Sequence, residues 1–409
     1  MVLPGINPAD LEAMRNFTNS GLMQLLDMFS GGAFGQASIF ALGIMPYITA
    51  SIVIQLMGMV VPSFQKMQRE GESGRMKLNQ YTRYLTVAIL LVQAPAYLMN
   101  LQYQVNAAGG HAHISGLMMI YLSIVLTAGA MLIMWLGEKM TDKGIGNGIS
   151  IIILVGILAR FPGAIVQEFT SRLNTAQGGL VMFLVEIVIL FAVTAGAVML
   201  TQGTRKVPVQ YAKRIVGNKQ YGGARQYIPL KVNAANVMPI IFAQALMFIP
   251  ITLAGFGARQ DAAGFGGWLS RTFGDMNGFW YNVVYFLMIV AFTYFYTAIT
   301  VRPTQMAEEM KKNSGFIPGI KPGKKTAEYL DSIMSRITLP GSIFLGIVAI
   351  LPAFARYFGV NQSFAQFFGG TSLLITVGVV LDTLQQIETH LMMHHYDGLM
   401  QSGKITGRR

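Results

Sequence analysis

Apolar residues run along this chain in blocks, and polar residues collect between the blocks. Nine blocks approach or exceed the roughly 20 residues that an α-helix needs to cross a hydrocarbon core about 30 Å thick. They cover 37–61, 85–102, 116–137, 147–166, 180–202, 233–256, 279–301, 334–358 and 370–392. The pattern predicts an all-α polytopic membrane protein. The fourth block is interrupted by Arg160 and Pro162. Ahead of the first lies a shorter apolar stretch, Gly21 to Ala33, which carries Ser30-Gly31-Gly32 near its end. It is too short to span and predicts a re-entrant or half-inserted helix.

Composition agrees with the blocks: 53% of the 409 residues are hydrophobic and 12% charged, against roughly 25% charged in a soluble domain. Most of the charged residues behind the net charge of +12 lie between the blocks, which favours a topological signal over nucleic-acid binding. Of the 30 lysines and arginines, 24 fall in alternate connections and in the C-terminal tail, while Arg15, Arg160, Arg172, Arg259, Arg271 and Arg356 fall on the other side. The positive-inside rule then places the basic loops and the C-terminus in the cytoplasm. The sequence has no cysteine, which removes disulfides and thiol chemistry.

Two of the basic connections, Gly203 to Val232 and Arg302 to Arg336, are longer than a link between adjacent helices requires, and long loops tend to carry function. The first holds Tyr211-Ala212-Lys213-Arg214 and Tyr221-Gly222-Gly223, the second Pro318-Gly319-Ile320-Lys321-Pro322-Gly323. Both read as rigid basic protrusions suited to an acidic partner such as ribosomal RNA or a motor protein.

No residues combine into an enzyme centre. Glu186 and Asp382 stand within spans with no evident cationic partner, which raises proton coupling as a reading. His390 and His394 share a helix face at i and i+4 without a third metal ligand nearby. Gly144-Ile145-Gly146-Asn147-Gly148 follows a helix and lacks the Lys-Ser/Thr of a phosphate loop, so it reads as a tight turn. No cofactor is implied. In the first span, Pro46 frees a backbone carbonyl and Gln55 needs a partner in hydrocarbon, so this helix is expected to face protein or a cavity.

That span, Ile39 to Ile54, followed by Glu70-Gly71-Glu72-Ser73-Gly74-Arg75 and Gln80-Tyr81-Thr82-Arg83-Tyr84, resembles the SecY family of pore-forming subunits of protein-conducting channels. Further matching motifs are Trp135-Leu136-Gly137-Glu138, Gly144 to Ser150, Leu230-Lys231-Val232-Asn233, Pro318 to Gly323, and Gly369 to Ile375. They follow the family's order over nearly the whole chain.

The resemblance implies two inverted-topology helical halves, 1–170 and 171–409, around a central pore. It assigns the pore ring to Ile44, Ile48, Ile149, Ile153, Ile241 and Ile375. It assigns a plug to 21–33, including Met28, Phe29, Ser30, Gly31 and Gly32. It assigns a lateral gate to the spans at 37–61, 85–102, 233–256 and 279–301, with Gln55 and Asn233 as polar contacts. Cytosolic docking would fall to Lys213, Arg214, Lys219, Lys321, Lys324 and Lys325. The implied partners are SecE, SecG, the motor ATPase SecA, the translating ribosome and preproteins bearing signal sequences. The implied location is the bacterial inner membrane. A collar of aliphatic side chains suits such a channel, because it dewets when empty and closes around any passing chain.

Two departures stand out. The chain starts where the family's first transmembrane helix would already have ended, which suggests a truncated or misassigned start. Lys321 stands where the family's turn usually carries arginine, and lysine lacks the planar fork that grips phosphate or carboxylate. The rival reading is a secondary transporter, which calls for a polar site near the midplane.

Overall fold

The computed structural model describes residues 2–4, 30–107, 115–144, 146–174, 179–211, 214–216, 219–221, 225–235, 237–244, 246–247 and 278–402. Among these, seven helices are long and apolar enough to cross a membrane, or eight if a bent pair counts as one span. Much of the expected span 233–256 lies outside the described residues. The chain divides into two compact units, one formed by 1–166 with 379–409 and the other by 167–378.

In the first unit, residues 30–44 form successive turns, and the helix α1 (Met45–Val60) starts only after them. The expected span 37–61 is therefore helical over its later part alone. Ala37 (φ 43°) and Gly43 (φ 54°) are left-handed, which interrupts any earlier helix. Pro46 sits in the first turn of α1, where a missing N–H costs nothing. The turns are anchored from both sides. Leu3 N–H donates to the Ala37 carbonyl at 2.9 Å, and the Tyr97 hydroxyl donates to the Phe34 carbonyl at 2.8 Å. The Phe34 and Tyr97 rings meet edge to face, and around them Leu3, Ala37, Leu98, Leu101, Leu122 and Leu126 form a buried core.

Val61 is extended (φ −100°, ψ 119°), as the residue before a proline prefers, and it separates α1 from α2 (Pro62–Arg69). Two long helices follow, α3 (Glu72–Ala107) and α4 (Gly116–Asp142). Arg83 of α3 grips Glu138 of α4 with both prongs of its fork, at 2.6 and 2.9 Å. Thr141 closes the connection to α5 (Gly148–Asn174): its hydroxyl donates to the Gly137 carbonyl and accepts from Gly148 N–H, each at 2.9 Å. Helix α5 continues through Arg160 and Pro162 to Asn174.

The second unit holds α6 (Gly179–Gln202), strands β1 (Thr204–Tyr211), β2 (Arg214–Val216), β3 (Lys219–Tyr221) and β4 (Arg225–Lys231), helices α7 (Phe279–Thr300) and α8 (Pro303–Lys312), and strand β5 (Gly315–Phe316). It ends with α9 (Lys324–Tyr357), α10 (Gln362–Ala365) and the start of α11 (Gly370–Ser402). The two long loops do not stand apart. Strand β1 pairs antiparallel with β4 of its own loop and with β5 of the other, Gln210 opposite Phe316 and Tyr211 opposite Gly315. Val207, Val209 and Leu230 of the first loop bury against Met310 and Ile317 of the second and against Leu330 and Met334 of α9. One small body with its own apolar core results, and α9, 34 residues long in all or about 51 Å, runs on from it. Along that helix Gly346 lies under the ring of Phe286 of α7, which is 2.5 Å from where a β-carbon would sit. Small residues permit such close helix contact in membranes.

Glu186, which sequence alone leaves without a cationic partner, has one. Arg172 near the end of α5 donates to Glu168 Oε1 at 2.9 Å and to Glu186 Oε1 at 2.5 Å. Asn361 N–H donates to Glu168 Oε2 at 2.9 Å, which ties the approach to α10 into the same cluster. The partner is 14 residues away, across the connection from α5 to α6, beyond the reach of helical spacing rules. Glu186 Oε2 is buried with no hydrogen-bond partner among the described residues.

Removing Arg172 strands two buried carboxylates. Arg172→Ala should destabilise the protein by about 3–5 kcal/mol, while Glu186→Gln, which keeps the shape and removes the surplus negative charge, should cost far less. Thermal unfolding in detergent reads the difference, and equal losses would deny the pair its structural role. In the small β-sheet body, Ile317→Asp buries an unpaired charge, at a cost of several kcal/mol. Faster tryptic cleavage within 203–231, in the other loop, is the expected result; cleavage confined to 302–323 would mean that the loops fold separately.

Candidate functional site

The expected ring residues of the first unit lie on two helices. Ile44 caps α1 and is buried, and its carbonyl accepts from Ile48 N–H at 3.1 Å. Ile48, one turn on, is half-buried on the same face. On α5, Ile149 is half-buried and Ile153 buried. Ile149 also packs against Gly137 of α4, its Cγ1 2.9 Å from where a β-carbon on that glycine would sit. The face that carries Ile149 and Ile153 continues at i+7 and i+11 to Gly156 and Arg160. There it meets the chain at Gly31 and Gly32. Ser30, just before them, accepts from Phe34 N–H at 3.0 Å through its hydroxyl, which holds the turn in shape. Met28 and Phe29 lie outside the described residues.

In the second unit, residues 238–244 form a short helix whose capping residue is Val237. Val237, Ile241 and Gln244 fall on one face at i, i+4 and i+7, and on α11 so do Thr371, Ile375 and Gly378. The two faces oppose each other. Val237 Cγ2 lies 2.6 Å from where a β-carbon on Gly378 would sit, and the Thr371 hydroxyl donates to Gln244 Oε1 at 2.7 Å. The Tyr285 and Thr371 hydroxyls are 3.4 Å apart, which adds α7 to the contact. Ile241 and Ile375 occupy the middle of these stripes; Ile375 is only 2% exposed, Ile241 half-buried. Sequence reasoning missed the polar bracket of Gln244, Thr371 and Tyr285. Gln244 and Thr371 carry a signal in their helical spacing from Ile241 and Ile375, whereas Tyr285 on α7 carries none.

The polar residues expected at a gate differ in setting. Gln55 donates to Ser51 Oγ at 3.4 Å, a bond within α1 itself. Asn233 is 4% exposed, and its Oδ1 has no hydrogen-bond partner among the described residues. Of the residues expected to dock a cytosolic partner, Lys321, Lys324 and Lys325 are exposed. Arg214 and Lys219 lie on the β2–β3 hairpin, and Lys213 is outside the described residues. Among the described residues no group of three or more His, Cys, Asp or Glu side chains could hold a metal ion.

A family model described as SecY matches residues 38–384. The protein translocase subunit SecY of Streptomyces scabiei is 42% identical over 98% of this chain and 92% of its own length. That of Mycobacterium bovis (strain ATCC BAA-935 / AF2122/97) is 41% identical over 97% and 92%. Among solved structures, a protein-conducting channel superposes with a TM-score of 0.59 at 18% identity, over 93% of this chain and 86% of that one. A SecY channel whose plug domain is described as stabilising the closed state and maintaining a membrane seal gives 0.58 at 18% identity, over 100% and 97%. Sec61 from the canine ribosome-channel complex of the endoplasmic reticulum gives 0.54 at 18% identity, over 91% and 85%. With apolar spans, interrupted helices and a family match that runs from the first span into the last, the chain belongs to the SecY family of protein translocase subunits.

Proposed function

We propose that this chain is the channel subunit of a protein translocase, conducting unfolded preproteins across the membrane and releasing apolar segments sideways into lipid. The family match over residues 38–384 carries the reading. It favours a protein channel over a secondary transporter, and of the two carboxylates within spans that could have served a coupled transporter, Glu186 is engaged by Arg172.

The physical account rests on Ile44, Ile48, Ile149, Ile153, Ile241 and Ile375 as an aliphatic gasket. Branched apolar groups bind no ion and hold no water column when unoccupied, yet they tolerate any side chain that pushes between them. Residues 21–33 act as the plug, with the domain halves at 1–170 and 171–409. Gln55 and Asn233 contribute polar contacts at the lateral gate, each on the order of 1 kcal/mol. An apolar signal segment competes with such weak contacts by offering buried area, and a segment rich in Leu, Ile, Phe and Val then partitions into lipid.

The chain is a passive conduit, with energy supplied by SecA, the ribosome or the proton-motive force, and with SecE and SecG beside it in a bacterial inner membrane. The C-terminus and the joined basic body face the cytoplasm, in line with the distribution of lysine and arginine. Exposed Lys321, Lys324 and Lys325 meet the acidic surface of a cytosolic partner.

Two measurements test this. In proteoliposomes with SecE, Ile48→Asn and Ile241→Asn, at half-buried positions where an amide can be accommodated, should raise resting ion conductance by about tenfold and admit preproteins with weakened signals. Ion-tight variants with unchanged selectivity would remove these residues from the gasket. Replacing Lys321, Lys324 and Lys325 together by Glu should abolish ribosome or SecA binding at low salt while leaving thermal stability unchanged, and the parent's binding should weaken steeply as salt rises. Salt-independent binding that survives the replacement would place docking elsewhere.

A further inference from the structure

Arg160 is an expensive residue to place where it is. It lies twelve residues past the start of α5, about 18 Å along the axis, and an arginine at a span's centre costs about 2.5–3.5 kcal/mol on insertion scales. Such residues turn toward protein or water, and Arg160 is half-buried. Its guanidinium lies close against Gly32: Nη2, Nε and Cζ are 3.1, 3.3 and 3.7 Å from where a β-carbon on that glycine would sit. One turn earlier on the same face, the Gly156 α-carbon is 3.2 Å from the corresponding point on Gly31. Both glycines of the turn are left-handed, with φ of 65° and 94°, so side chains are disfavoured there by conformation as well as by space.

The contact is thus a notch and a stop. Gly156 lets the backbone of the turn come down onto α5, and Arg160 closes the notch on one side. On the other side the turn is fixed by Ser30 and by the Tyr97 anchor at Phe34.

We propose that Gly156 and Arg160 form the seat on which the turn Ser30–Gly32 rests in the shut channel, with Arg160 as the positioning residue that holds this turn in place. The proposal rests on the reading of residues 21–33 as a plug. A charged stop suits a contact that must be made and released. Against the glycine turn the guanidinium meets protein, and when the plug leaves it meets the water of the opened path, so the charge is stranded in neither state.

The test uses the complete chain with SecE in proteoliposomes, reading resting ion conductance and passage of a preprotein with a defective signal. Arg160→Gln should raise resting conductance on the order of tenfold and relax signal selectivity, as a shifted closed–open equilibrium requires. Arg160→Lys should recover part of the seal. In a variant lacking 21–33, already leaky, Arg160→Gln should add nothing, because the two changes then act through one contact. Gly32→Ala reads the same contact from the other side should Arg160→Gln assemble poorly; it should leak, and less than additively with Arg160→Lys. If deletion of 21–33 leaks while Arg160→Gln and Gly32→Ala stay tight, the seat is wrong and the plug reading stands. If the deletion itself stays ion-tight, the plug reading fails and the seat with it. Equal added leak from Arg160→Gln with and without 21–33 would place Arg160's action elsewhere and overturn the proposal.

Discussion

Within hydrocarbon a polar group without a partner costs several kcal/mol, and much of this structure follows from how its helices meet that demand. Hydroxyls inside the spans bond back to their own backbone: Thr86 to the Thr82 carbonyl at 2.7 Å, Ser123 to Met119 at 2.7 Å, and Thr297 to Thr293 at 2.7 Å. Charges need more, because no carbonyl on the same helix neutralises them. Glu168, Arg172 and Glu186 meet the need by converging from α5 and α6, and the Asn361 amide closes the cluster.

Close backbone contact is the second device. Hydrophobic burial gives helices in lipid little reason to associate, so van der Waals fit and small residues carry the load. Gly346 beneath Phe286 and Gly137 beside Ile149 show it between helices. Gly31 and Gly156 show it between a turn and a helix, where the same economy of space brings the Arg160 guanidinium onto the chain.

For a protein channel these devices have a shared consequence. Close contacts on glycine and side-chain hydrogen bonds flank the aliphatic positions that we propose as the gasket. Ile241 and Ile375 sit between a methyl-on-glycine contact and a single hydroxyl–amide bond. Outside the spans the opposite holds: the two basic loops share a β-sheet and a core, so a partner that pulls on either one pulls on α9.

Apolar blocks, basic loops and motif order made the membrane class, the family and most span positions legible in the sequence, because hydropathy and charge act locally and add along the chain. That Ile44 and Ile48, and Ile149 and Ile153, share a helix face was legible from their i and i+4 spacing, while their choice as a ring came from the family resemblance alone. Helix onset at Met45 in place of residue 37 was not, since the left-handed Ala37 and the anchor from Tyr97 arise from packing. Nor was the union of the two loops, where strand β5 has only two residues and gains its identity from β1. Arg172 with Glu186, and Arg160 against Gly32, are partnerships between distant positions that no periodicity encodes. The sequence by itself determined which solvent each segment would occupy; only the tertiary structure decided which polar groups would answer one another there, because that choice depends on distances in space.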